Sequence, residues 1–227
     1  MVRDLDVLNE TIAALATRVD PQLRATLGPI AVAIRERRTA ALESLNKTLG
    51  SARYRRLRAR LEAFAGSRLP AHGDGRLGEM APRLVRPVLR ATIRAGRRVH
   101  ADTTPAELHR LRVRVKRLRY ALESLRGPQD KAMTKLLRRL ARLQDVLGEY
   151  QDAVIQGAWL RTHAETTLLA PGPLLGVGAL MQLLSRRARR RRKRFPQAWG
   201  RLDDAKLHRR VLDELAVDRS TPPSAIA

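Results

Sequence analysis

The stretch ELHRLRVRVKRLRYALESL, Glu107 to Leu125, decides the fold. It holds six Arg and Lys and one His against two Glu, yet a regular apolar repeat runs through it. Leu108, Leu111, Val115, Leu118, Leu122 and Leu125 recur at alternating steps of three and four, the period of a helix with one buried face. At 100° per residue the first five fall within an arc of about 80°. Thr104, Pro105 and Glu107 supply the start: a capping hydroxyl, a proline whose missing N–H costs nothing there, and the acid of a capping box. Gly127-Pro128 supplies the stop.

The cations of this helix divide into two sets. Arg119, Arg112, Lys116 and His109 lie, in that order, from about 20° to 100° beyond the edge of the apolar arc. Arg110, Arg114 and Arg117 lie on the far side, where any solvated helix carries charge. The flanking set runs along about 15 Å of helix with no acid within it. Like charges at this spacing repel by a few tenths of a kcal/mol per pair, so a joint use is expected. A solvated face is the plain alternative.

Outward from this helix, nearly every segment has helical period, and Pro and Gly punctuate it. Pro21, Gly28-Pro29, Gly50, Gly66, the stretch from Pro70 to Gly75, Gly127-Pro128, Pro171-Gly172-Pro173 and Gly200 predict about eight helical pieces. No window alternates with the period of a strand. A longer helix from about Asp130 to Glu165 has its own seam in Met133, Leu136, Leu140, Leu143, Leu147, Tyr150 and Val154. Lys135, Arg138 and Arg142 face away from that seam and Arg139 sits at its edge. RRARRRRKR, residues 186–194, has eight bases in nine positions and reads as a solvated face or a general polyanion patch.

The composition agrees with an all-α protein that binds anions. Apolar residues make up 44% and aromatics only 3%, a mix that favours helix packed on helix. The formal net charge is +24, and 40 of the 46 basic residues are Arg. Such self-repulsion is eased by a polyanionic partner. The chain has no cysteine, which excludes disulfides and thiolate chemistry. No apolar run is long enough for a membrane span and the N-terminus lacks the order of a secretion signal, so a cytoplasmic location is expected. His72, His100, His109, His163 and His208 form no metal-binding pair, and no phosphate loop, nucleophile elbow or carboxylate cluster for Mg²⁺ is present. No metal or other cofactor is expected, and a binding module is expected rather than an enzyme.

A weak internal echo runs through the chain. RDLDVL at Arg3–Leu8 matches QDAVIQ at Gln151–Gln156 and sets Asp4 against Asp152, while Arg37-Arg38 matches Arg186-Arg187. The offset stays at 148–149, as a duplicated helical unit requires. The first unit has no counterpart of the His109 helix, so the chain opens in mid-repeat and a truncated or late start is expected. The domain reading follows: residues 1–68 a remnant of a first helical repeat, 69–79 a loop, 80–217 a second repeat, and 218–227 a disordered tail.

LHRLRVRVKRLRYALE with LARLQDVLGEYQDA downstream resembles the CHAD domain, the conserved histidine α-helical domain, over roughly residues 1–200. That family's first motif has the form HxxRVxxKRLRY and its second LQDxLGxxxD. The resemblance implies two repeated antiparallel four-helix bundles, here with the first helix of the N-terminal unit missing, around a basic groove. It also implies binding of inorganic polyphosphate and, for some members, association with storage granules. By motif position it implicates His109, Arg112, Lys116, Arg119 and Tyr120, with Asp152 as the acid of the second motif. Arg139, Arg37, Arg38, Arg187, Arg190 and Arg194 join the candidate polyphosphate ligands, and Asp4 and Asp152 are expected to hold an arginine in place. Polyphosphate has no bases to stack, and Arg offers a planar fork to its oxygens, which fits an Arg-rich and aromatic-poor chain. A nucleic-acid-binding basic helical protein is the alternative.

Overall fold

The computed structural model describes residues 2–67, 77–127 and 130–216. Among them all regular structure is helical: α1 Val2–Ala16, α2 Pro21–Ala25, α3 Gly28–Leu49, α4 Ala52–Gly66, α5 Leu77–Arg97, α6 Pro105–Leu125, α7 Lys131–Thr166, α8 Pro171–Leu202 and α9 Ala205–Ala216. The breaks fall at the Pro and Gly positions for the reasons proline and capping residues give. Asp20 accepts the Gln22 N–H ahead of Pro21, and Ser51 accepts the Tyr54 N–H after Gly50. One punctuation mark misleads: α8 runs through Gly200 and stops two residues later, where Asp204 receives the Leu207 N–H at 3.0 Å and starts α9. Leu77 to Glu79, expected in a loop, belong to α5. The rest of that loop, Pro128 and the expected tail at 218–227 lie outside the described residues.

Two compact units divide the chain, and their division is not sequential. The first comprises Met1–His72 and Ile155–Ser185, the second Gly73–Val154 and Arg186–Ala227. The long helices α7 and α8 therefore each contribute to both. In the first unit, α1 sets Leu5, Leu8, Ile12 and Leu15 on its buried face, and α3 sets Ile30, Ile34 and Ala41. Leu160, Val177, Leu180 and Leu184 complete that interior. The Thr26 hydroxyl donates to the Gly172 carbonyl at 3.0 Å, beside Gly176, where a Cβ would stand 2.7 Å from Leu27 Cδ2. Gly176 is thus required for close approach.

The second unit holds one continuous core. Leu108, Leu111, Val115, Leu118 and Leu122 of α6 are all at most 3% exposed, and the α7 seam from Met133 to Tyr150 is buried with them. Leu125 and Val154, at the ends of the two seams, are only partly buried. α5 contributes Ala81, Val85, Leu89 and Ile93, and α9 contributes Leu207, Val211 and Leu215. α5 packs on both α6 and α9. Its Gly96 faces the Trp199 ring so closely that a Cβ would lie 2.0 Å from it.

Candidate functional site

The start of α6 is built as its sequence requires. Thr104 Oγ1 accepts the Glu107 N–H at 3.3 Å, and Glu107 Oε2 accepts both the Thr104 N–H and its hydroxyl at 2.8 Å. These bonds, first of all that from the Thr104 backbone, hold the Glu107 carboxyl below its ordinary range. The loop ahead of α6 is fixed from α8: Arg192 donates to the carbonyls of His100 at 3.2 Å and Thr103 at 2.7 Å, and to that of Ala101. With the helix start and the seam both fixed, the rotation of α6 is set, and so is the direction of every cation on it.

On that helix His109 and Lys116 are exposed, and Arg112 and Arg119 are half-buried. Arg112 passes over α7 at Gly148, where a Cβ would stand 3.7 Å from its Nε. Its Nε–H is buried without a hydrogen-bond partner among the described residues. On α7, Gln144 and Gln151 each bury a side-chain oxygen that is likewise unpartnered. With Gly148 they recur at steps of four and three and flank the α7 seam. Arg119 Nε lies 3.2 Å from Glu123 Oε1, within ion-pair reach, yet its N–H makes no aligned hydrogen bond. A pairing this exposed on one side contributes little. The Tyr120 ring lies under both Lys116 Nζ, at 5.5 Å, and Arg119 Cζ, at 5.3 Å. That stacking orders the two cations side by side.

The other expected ligands are not gathered on this helix. Arg187 Nη2 lies 3.3 Å from Glu149 Oε2, and Arg191 pairs with the same carboxylate. Arg139 Nη1 lies 3.0 Å from Asp204 Oδ2 and also donates to the Arg201 carbonyl, so it ties α7 to the end of α8. Arg139 and Arg194, together with Arg142 and Arg201, line a small pocket of about 130 Å³ in the second unit. Arg190 is exposed. In the first unit Arg37 is exposed and Arg38 pairs with Asp6. Arg38 is held by Asp6 and Arg187 by Glu149, each a turn or less from Asp4 and Asp152, the acids singled out in sequence, which make contacts of their own.

Several contributors escaped the sequence reading. Glu149 lies between Asp145 and Asp152 in the sequence, and only three-dimensional proximity shows that two guanidiniums share it. Gln144 and Gln151 sit in the second motif as neutral residues with no charge to draw the eye. The arginines of α5 escaped as well, although Arg83, Arg86, Arg90, Arg94 and Arg97 recur at steps of three and four, a signal present in the sequence. Among the described residues no group of three or more His, Cys, Asp or Glu side chains could hold a metal ion.

The family model described as the CHAD domain matches residues 1–161. The match covers α1 through most of α7 and stops short of the basic run on α8. Among solved structures, PptA from Streptomyces chartreusis superposes with a TM-score of 0.66 at 21% identity, covering 88% of this chain and 74% of PptA. At that identity the likeness speaks for the fold. No curated protein matches.

Proposed function

The chain belongs to the CHAD domain family, and from that premise we propose that it is a non-enzymatic polyphosphate-binding protein whose phosphate track runs along the flank of α6. The observation that carries this reading is Arg112: a half-buried guanidinium, in line with His109, Lys116 and Arg119, with a buried N–H that has no partner among the described residues. Such a donor costs on the order of 1 kcal/mol or more until an acceptor arrives. A phosphate oxygen is the acceptor that also neutralises the charge around it. Tyr120 holds Lys116 and Arg119 in place from beneath and presents its hydroxyl beside them. Arg190 and Arg194, exposed on α8 in the same unit, extend the basic surface that a long chain would meet, and Arg37 is exposed on α3 of the first unit. Arg38, Arg139 and Arg187 serve the fold through their carboxylates in this reading. Location in the cytoplasm and at polyphosphate granules belongs to the same proposal; among the described residues no helix is long and apolar enough to cross a membrane. The repeated-bundle arrangement is likewise part of it.

Binding should come chiefly from counterion release and fall steeply with salt. Long-chain polyphosphate and duplex DNA, titrated at equal phosphate concentration in about 150 mM salt, separate this reading from nucleic-acid binding, which the basic run at 186–194 favours. Tighter binding of DNA would defeat the polyphosphate reading. Arg112→Glu with Arg119→Glu should weaken polyphosphate binding at least tenfold more than Arg110→Glu with Arg114→Glu. Equal losses would mean that bulk charge does the binding and α6 carries no site.

A further inference from the structure

The second unit carries another row of guanidiniums, on a different helix pair. In α5 the buried residues Ala81, Val85, Leu89 and Ile93 define a seam, and the five arginines Arg83, Arg86, Arg90, Arg94 and Arg97 fall together in an arc of about 80° beside it. This repeats the arithmetic of α6 with one more cation. The row extends along about 21 Å of helix. It forms one wall of a groove of about 860 Å³ between α5 and α9. Leu89, Ile93 and Leu212 line the groove as well, and His208 and Arg209 of α9 contribute to its other wall.

The row is charged and almost uncompensated. Asp203 takes Arg97 in a two-pronged pair at 2.7 and 2.8 Å, which anchors one end of the groove. Among the described residues no carboxylate lies within ion-pair distance of Arg83, Arg86, Arg90 or Arg94. Glu214, on α9 itself, accepts the Ala132 and Met133 N–H groups at the start of α7. Four neighbouring guanidiniums without an acid repel one another, and a groove that concentrates them focuses their field on whatever enters it.

We propose that the α5–α9 groove is a second oligophosphate site, separate from the α6 track. It rests on the reading above in taking inorganic polyphosphate as the ligand, and adds that the second unit holds it at two places. A linear chain of phosphates fits the observations. Its charge repeats along its length, as that of the arginine row does, and it is slender enough to enter a cleft between packed helices. No Phe, Tyr or Trp lines the groove, so the broad stacking platform of single-strand binders is missing there. A duplex carries its phosphates on a rod too broad to enter. With both sites occupied, one long chain can be held twice, and the second attachment then proceeds at high effective concentration.

The test is calorimetric titration of the full chain with short inorganic polyphosphate, in wild type and in three variants that each remove two or three positive charges. Arg86→Gln, Arg90→Gln, Arg94→Gln should halve the number of bound chains and leave the remaining affinity within about twofold. Arg112→Gln with Arg119→Gln should remove the other class of site. Arg110→Gln, Arg114→Gln, Arg117→Gln, which removes three charges from the far face of α6, should leave the stoichiometry unchanged. The His208 imidazole resonance provides a local readout and should shift on titration even when the α6 site is disabled. Unchanged stoichiometry and a still His208 in the presence of active α6 binding would overturn the second site alone. Loss on the α5 side with a silent α6 pair would instead overturn the α6 assignment and leave the groove standing. Equal weakening by the far-face variant would overturn both as discrete sites. Polyglutamate occupying the groove more tightly than polyphosphate at equal charge would overturn the ligand class.

Discussion

Helices α4 and α9 carry the same apolar phase and meet opposite fates. Leu57 and Leu61 of α4 stand 150 positions before Leu207 and Val211 of α9, close to the offset of the internal echo. α9 buries both, with Leu215, in the core it shares with α5. α4 buries none of its side chains: Leu57, Leu61 and Phe64 are 52, 57 and 62% exposed. Helical period puts apolar groups on one face, but only a facing helix takes that face out of water. α9 has α5 for this purpose, while α4 packs on α3 and keeps its stripe uncovered. The same pair of units also shares a device. Arg38 and Arg187, 149 positions apart, each reach a carboxylate on another helix, Asp6 in one unit and Glu149 in the other.

The contrast between covered and uncovered faces can be broken most sharply by truncating one leucine in each. Leu118→Ala in the second-unit core should cost about 3 kcal/mol, since the cavity cannot collapse in close-packed surroundings. Leu61→Ala on α4 should stay within about 0.5 kcal/mol. Chemical denaturation measures both, and comparable losses would show that the α4 stripe is covered after all. Glycine gives the next largest effect, and it differs in sign between units. Gly96→Ala drives a methyl into the Trp199 ring and should cost about 2 kcal/mol. Gly157→Ala, in the first-unit part of α7 with nothing within 4 Å, should stabilise by about 0.5 kcal/mol through helix propensity. Thermal melts of the two variants moving in the same direction would contradict that.

Smaller effects sharpen the comparison of the arginine ties. Glu149→Gln removes the carboxylate shared by Arg187 and Arg191 and should cost about 1 kcal/mol. Asp6→Asn, at a more exposed pair, should cost about half as much. The smallest expected signal is in pH. Burial pushes the His208 imidazole below its ordinary value of 6.5, outweighing the bond to the Leu202 carbonyl, which acts in the opposite direction. The folded state therefore prefers the neutral ring, and the unfolded chain binds the proton first. Stability from this site is full above pH 6.5 and declines as pH falls from there toward the lowered value. His208→Gln should flatten the slope of stability against pH in that window, and an unaltered slope would remove His208 as its cause.

Much of the fold could be read from residues because local rules and tertiary packing agree over α6 and α7. The capping box at Thr104, the seam from Leu108 to Leu122 and the stop at Gly127 all point to one helix in one rotation. The division into units was not readable in the same way. Helices α7 and α8 are continuous by every local criterion, and where one compact unit ends along them depends on which neighbours each turn touches. The site was partly legible for a related reason. Periodicity gives the direction of a side chain relative to its own helix, which is enough to set His109, Arg112, Lys116 and Arg119 along one flank of α6. It says nothing of a partner on another helix, so Arg38, Arg139 and Arg187 looked as available as Arg190 until their carboxylates were seen.

The grip of Arg192 on the loop before α6 bears on what ionic strength will do to this molecule. Its acceptors are peptide carbonyls, dipoles without net charge, and added electrolyte shields such bonds far less than it shields bonds between ions. The loop that aims α6 should thus survive in brine that has already stripped away any bound polyanion. Release of cargo by salt would leave the empty track in shape for reloading once the salt is diluted.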